Sequence, residues 1–167
     1  MYEATPDSDT APTEAPKSQR RKKESATPRE YALLFLLVLF AFGPLLLSTD
    51  LWNKNDPATK SGFHEISSWT EAWTPEMIRK YDPFSLSSYF LESYLPLDPA
   101  FTHRAINLAL HLLAICLLWS LLRKLRLKST GLAVLLFAVH PAIIPVLLWP
   151  GHRHVILGFI IMITLLN

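Results

Sequence analysis

The chain has a single cysteine, Cys116, among its 167 residues. That excludes an internal disulfide framework and a multi-cysteine metal site. Cys116 lies inside an apolar stretch and reads as a small packed residue. Glycine is scarce, at five residues. No Gly-rich phosphate loop, serine-hydrolase elbow, zinc-ligand spacing or internal repeat is present. Charge is missing from long stretches: Tyr31 to Thr49 carries none, and Ser129 to His152 has no Lys, Arg, Asp or Glu. Half of the chain is hydrophobic. The apolar residues are clumped rather than spread with amphipathic period, the composition of a membrane protein. The net charge of +2 excludes little; where the basic residues sit says more.

Residues 1–29 hold Asp, Thr, Pro, Ser, Glu and Lys with almost nothing to bury, which predicts a disordered tail. The tail closes on Arg20-Arg21-Lys22-Lys23 and Arg29. No aromatic residues interleave with these charges, so a nucleic-acid partner is not expected. A basic run beside an apolar stretch instead marks orientation and anionic headgroups. The apolar stretches predict an all-α, multi-pass transmembrane chain of about four spans, at 31–49, 104–122, 129–147 and 154–167. A cleaved secretory signal is the rival reading of the first stretch, but LLLSTDLW offers no small-x-small site. Gly43-Pro44 is a place for a kink. The third span should weaken at His140-Pro141, and Pro145 and Pro150 keep AIIPVLLWPGHRH broken, re-entrant or interfacial. The fourth is short for a bilayer. Residues 50–103 form the first external loop. In it, HEISSWTEAW and DPFSLSSYFLESYL read as amphipathic helices lying at the membrane interface among many aromatic residues. A second basic cluster, Arg123, Lys124, Arg126 and Lys128, should share the cytoplasmic side with the amino terminus.

Four features could carry chemistry. Asp50 and Asp56, just beyond the first span, could act as a general base or as metal ligands, or simply solvate a loop. His103, Asn107 and His111 recur every four residues, and each step advances a helix by about 40°. They therefore lie along one face, which should look into protein or a water-filled cavity. That face could hold a substrate, or serve in interhelical hydrogen bonding. His103 and His111 are about 12 Å apart by helical rise, too far to chelate one ion unaided. His140-Pro141 stands at a helix end. His152-Arg153-His154 occupies an outside turn, where Arg suits bidentate phosphate binding.

The order of these features resembles the amino-terminal third of a known membrane family. It is carried by YDPFSLSSYFLESYLPLDPAFTHRAINLALHLLAICLLWSLLRKL followed by AVLLFAVHPAIIPVLLWPGHRHVIL. The family comprises the tetratricopeptide-containing protein O-mannosyltransferases and their bacterial relatives, polytopic glycosyltransferases of the GT-C class. The matching positions are Pro83, Ser85 and Ser88, then Asp98, Pro99, His103, Asn107 and His111, then His140, Pro141, Trp149 and Arg153. The resemblance covers about residues 62 to 158.

It implies a partial GT-C core and a polyprenyl-phosphate-linked sugar donor. The catalytic carboxylate would be Asp50 or Asp56, with His103, Asn107, His111, His140, His152 and Arg153 on the substrate side. An aspartate base would activate the acceptor hydroxyl, and Arg or a divalent metal ion would stabilise the departing phosphate. The chain departs from the pattern in places. The acidic pair after the first span is split into Asp50 and Asp56, Asp82 replaces an Arg, and Pro145 and Val155 stand where acids are usual. The expectation is an amino-terminal portion of such an enzyme, inactive by itself, in a bacterial inner membrane rather than the endoplasmic reticulum. The alternative is a small non-enzymatic subunit of a larger membrane complex.

Overall fold

The computed structural model describes residues 28–47, 67–127 and 129–167, and every regular element among them is helical. The elements are α1 (Pro28–Leu47), a 3-10 turn at Trp69–Trp73, α2 (Pro75–Lys80), α3 (Pro83–Glu92), α4 (Pro99–Lys124) and α5 (Thr130–Ala138). A 3-10 turn at Pro141–Ile143, α6 (Ile144–Leu148), a 3-10 turn at Pro150–His152 and α7 (Arg153–Leu166) follow.

Three helices begin in the same way. Thr74, Asp82 and Asp98 are N-caps followed directly by Pro75, Pro83 and Pro99. The cap side chain accepts a backbone N–H, at 2.7 Å from Ser85 to Asp82 and 2.9 Å from Phe101 to Asp98. Proline at the first helical position loses no hydrogen bond and has its φ already set. Asp98 therefore starts α4 ahead of the expected span, inside the stretch assigned to the external loop. The same chemistry corrects the reading of HEISSWTEAW. Its described part is a 3-10 turn rather than an amphipathic α-helix. Pro75 disfavours helical backbone at Thr74, so the turn cannot run on into α2.

Among the described residues only α1 and α4 are each long and apolar enough to cross a bilayer. The stretch 129–147 is not one straight helix: α5 and the segment Pro141–Leu148 qualify only together, as a pair bent by 45°. The break falls at His140-Pro141, where proline removes a donor and disfavours helix before it. At 14 residues, α7 is shorter than a span.

Contacts along α4 fix the directions of its neighbours. Tyr31 and Trp119 pack ring to ring at 5.0 Å, while Arg104 Nη1 donates to Leu45 O at 3.1 Å. α1 therefore runs antiparallel to α4. Ala138 O meets His111, so α5 also runs antiparallel. Arg153 meets His103 and Asn107, whereas Asn167 meets Leu117 and Ser120, so α7 runs parallel to α4. Arg29 and the Arg123–Arg126 cluster consequently share one end of the bundle. The other end holds Leu45, Glu92, His103 and Arg153. The main apolar core, including Leu34, Val38, Phe42, Ile115, Trp119 and Val134, joins α1, α4 and α5. A separate small core of Ala72, Leu86 and Tyr89 holds the outer helices together.

A buried arginine cluster as the candidate functional site

α4 carries a polar face through an apolar bundle, and its partners explain why that is tolerated. The last carbonyls of any helix lack intrahelical partners. In hydrocarbon each unsatisfied one costs several kcal/mol. Arg104 donates to Leu45 O at the end of α1. His111 Nε2 lies 3.0 Å from Ala138 O at the end of α5 and donates to it. Asn107 Nδ2 donates to Val146 O at 2.9 Å and Leu147 O at 3.4 Å, at the end of α6. One face of one helix thus satisfies the carboxyl ends of three others. The His111 ring also packs against Phe42 and Phe137.

The centre of the cluster is Arg153, which has no exposed surface. Its guanidinium offers five N–H donors, and each has an acceptor. Nε donates to Asn107 Oδ1 at 2.7 Å. Nη1 donates to Ser88 Oγ at 2.8 Å and to the carboxylate of Glu92. Nη2 lies 2.8 Å from His103 Nδ1 and 3.2 Å from His103 O. The Tyr89 ring covers the guanidinium at 4.6 Å, a cation–π contact. A neutral imidazole accepts at one nitrogen only. Arg153 at 2.8 Å and Asn107 Nδ2 at 3.1 Å therefore compete for His103. The shorter, charged donor wins, since Asn107 Nδ2 already has two carbonyls.

The Arg153–Glu92 pair is placed oddly for each helix alone. Glu92 is the last residue of α3 and Arg153 the first of α7. A carboxylate at a carboxyl terminus and a cation at an amino terminus both oppose the helix dipole. Docking the two ends exchanges the situation: each charge then sits against the favourable end of the other helix. The Glu92 side chain is only 8% exposed, and its second oxygen lies 3.5 Å from His103 Nδ1. A buried pair of this kind adds little net stability, but breaking it costs about 3–5 kcal/mol.

The cluster thus joins His103, Asn107 and Arg153, with Ser88 of the loop pattern. His111 lies one turn further along α4. His140 is not part of it: it is exposed and caps the 3-10 turn at Pro141. His152 is half-buried, with its ring against Trp149 at 5.3 Å and near His154 at 6.5 Å. Asp50 and Asp56 lie outside the described residues. Among the described residues no group of three or more His, Cys, Asp and Glu could hold a metal ion.

Sequence reasoning passed over Glu92 and Arg104. A span of 104–122 puts Arg104 at its boundary, yet the residue is 2% exposed. Glu92 carried a usable signal: a lone acid closing a helix against its dipole needs a cation from elsewhere.

Fold and cluster together define a class, an all-helical bundle with membrane-length apolar helices organised around a buried arginine–glutamate pair. Comparison with protein-family models, curated proteins and solved structures finds no match for the chain.

Proposed function

We propose that this chain forms the opening helices of a GT-C-type glycosyltransferase core, which uses a polyprenyl-phosphate-linked sugar on the extracytoplasmic face of the membrane. One observation carries the reading. Positions of the family pattern from three separate segments, Ser88, His103 with Asn107, and Arg153, meet in a single cluster. That cluster sits at the end of the bundle where α1 finishes. Asp50 follows Leu47 by three residues, a tether of at most about 10 Å. A base on that tether would take the acceptor hydroxyl's proton. In this reading α1, α4, α5 with α6, and α7 are about four passes. The basic clusters face the cytoplasm, and α2 and α3 lie at the outer interface. Trp69, Ile78, Phe84, Leu91 and Tyr94, all exposed, suit that depth. The amino terminus is then cytoplasmic, and we favour a bacterial inner membrane.

The test is sugar transfer from the polyprenyl-phosphate donor in native membranes, where any completing segment or subunit is present. Asp50→Asn or Asp56→Asn should abolish transfer while the protein level persists. Wild-type turnover in both variants removes the proposal.

A second reading has its own support. All five Arg153 donors are engaged within the chain, so none is left for a lipid phosphate. That favours a non-enzymatic membrane subunit in which the cluster only fixes α3 and α7 to α4. A native chain that migrates alone and transfers sugar would refute it.

A further inference from the structure

At the bend between α5 and α6 a polar side chain, His140, faces outward beside exposed apolar residues. His140 Nδ1 accepts the backbone N–H of Ala142 at 3.2 Å. That lone pair is committed, so a neutral ring carries its proton on Nε2. The ring is exposed, and Pro141 and Ala142 beside it are exposed as well. On α5, Leu132 and Leu136 are 58% and 59% exposed. The depth of the group follows from α4. Ala138 O is bonded to His111, and Val146 O and Leu147 O to Asn107. His140 therefore falls between the levels of those two residues. His111 lies about 18 Å from Pro99 and about 20 Å from Lys124 along the helix. Asn107 is about 12 Å from Pro99 by the same rise, so the imidazole N–H lies inside the apolar span, a little to the Pro99 side of its middle, in the membrane reading above, on which this inference rests.

We propose that the outer face of the α5–α6 bend is a docking surface for one further membrane helix, which presents a hydrogen-bond acceptor near its midpoint to His140 Nε2. Acyl and polyprenyl chains offer no acceptor at this depth. An ionisable side chain there ordinarily faces protein or a water-filled cavity. A second copy docking through the same residue is not self-complementary, because both rings would present an N–H. The small exposed Pro141 and Ala142 leave room for a helix backbone to approach beside the ring.

The experiment uses the full chain in lipid vesicles and two synthetic probes. One is a polyleucine transmembrane helix with a single central Asn; the other is all leucine. Association is read by energy transfer. An environment-sensitive probe at Leu136, quenched by lipids brominated at different depths, reports depth. The expected result is a mid-depth probe and about 3- to 15-fold tighter association of the Asn helix, the range of single interhelical hydrogen bonds in membranes. His140→Leu should remove the difference. Ala142→Leu, which keeps the imidazole and its cap, should weaken both probes by obstructing the approach. A mid-depth probe with no preference for Asn overturns the docking proposal alone. A probe at the interface overturns the membrane placement with it. Self-association of the chain that His140→Leu abolishes makes a second copy the occupant and also overturns the proposal.

Discussion

The most apolar stretches of α1 and α4 have the same mean hydropathy, and either helix is long enough to cross a membrane. They are used in opposite ways. α1 buries Leu34, Val38 and Phe42, one stripe at four-residue spacing with no polar member. α4 buries Thr102, His103, Arg104, Asn107 and His111 in its first half, and Leu108, Ala114, Ile115 and Trp119 from there onward. In lipid the stripe on α1 gains only packing, because acyl chains are as apolar as leucine. The polar half of α4 bonds to the ends of α1, α5 and α6 and to the start of α7. Hydropathy alone treats the two helices as equivalent; the difference lies in which of them specifies the arrangement of the others.

Removing the centre of the cluster should separate the two helices most clearly. Arg153→Met leaves Glu92 buried without its cation and should cost about 3–5 kcal/mol in reversible unfolding from bicelles. Adding Glu92→Met should recover most of that loss, since replacing both partners spares the desolvated charge. A double variant as unstable as the single one would mean that the pair is not what holds α3. Asn107→Leu strands two carbonyls and the Arg153 Nε–H, and should cost about 2–3 kcal/mol in the same assay. On α1, Leu34→Ala should cost only about 1–2 kcal/mol, because packing is lost without a transfer contribution. An equal cost at Leu34 and Arg153 would erase the distinction between the helices.

The smallest effect lies outside the bundle. The backbone N–H of Ser67, and then its hydroxyl, hold the Glu71 carboxyl below the usual glutamate range. A carboxylate favoured in the folded state stabilises above its unfolded pKa and stops doing so as pH falls through the folded value. Acidification below the ordinary carboxylate range should therefore loosen the Ser67–Glu71 turn alone, seen as a shift in Trp69 emission with unchanged helix content. Glu71→Gln should flatten the profile; an identical titration in that variant would assign the transition to another group.

The helix start at Asp82-Pro83, the break at His140-Pro141 and the inward face of α4 were legible because each depends on residues a few positions apart. The spacing of His103, Asn107 and His111 is enough to place them on one side of a helix. What they bond to was not legible. Glu92 and Arg153 are separated by 61 positions, and no local periodicity connects them. Arg104 was misread for a related reason. Beside an apolar run an arginine suggests a boundary, and only the position of Leu45 O, 59 residues earlier, shows that it belongs inside. The outward position of His140 likewise depends on how sharply the chain bends at Pro141, which proline permits without dictating.

The turn that closes α4 has a consequence for the setting in which the chain is stable. Arg126 adopts a φ of 56°, and its N–H and that of Leu127 return to Arg123 O and Leu122 O. This is a Schellman closure with arginine where glycine is the usual occupant. Left-handed backbone costs a non-glycine residue about 1–2 kcal/mol. A cation beside an anionic leaflet gains about 1 kcal/mol. The two are of similar size and opposite sign, so the better residue at position 126 is chosen by the lipid. In a zwitterionic bilayer Arg126→Gly should be the more stable chain, and in an anionic one the advantage should shrink toward zero. In the membrane placement proposed above, a backbone angle at one turn thereby makes the fold sensitive to headgroup composition.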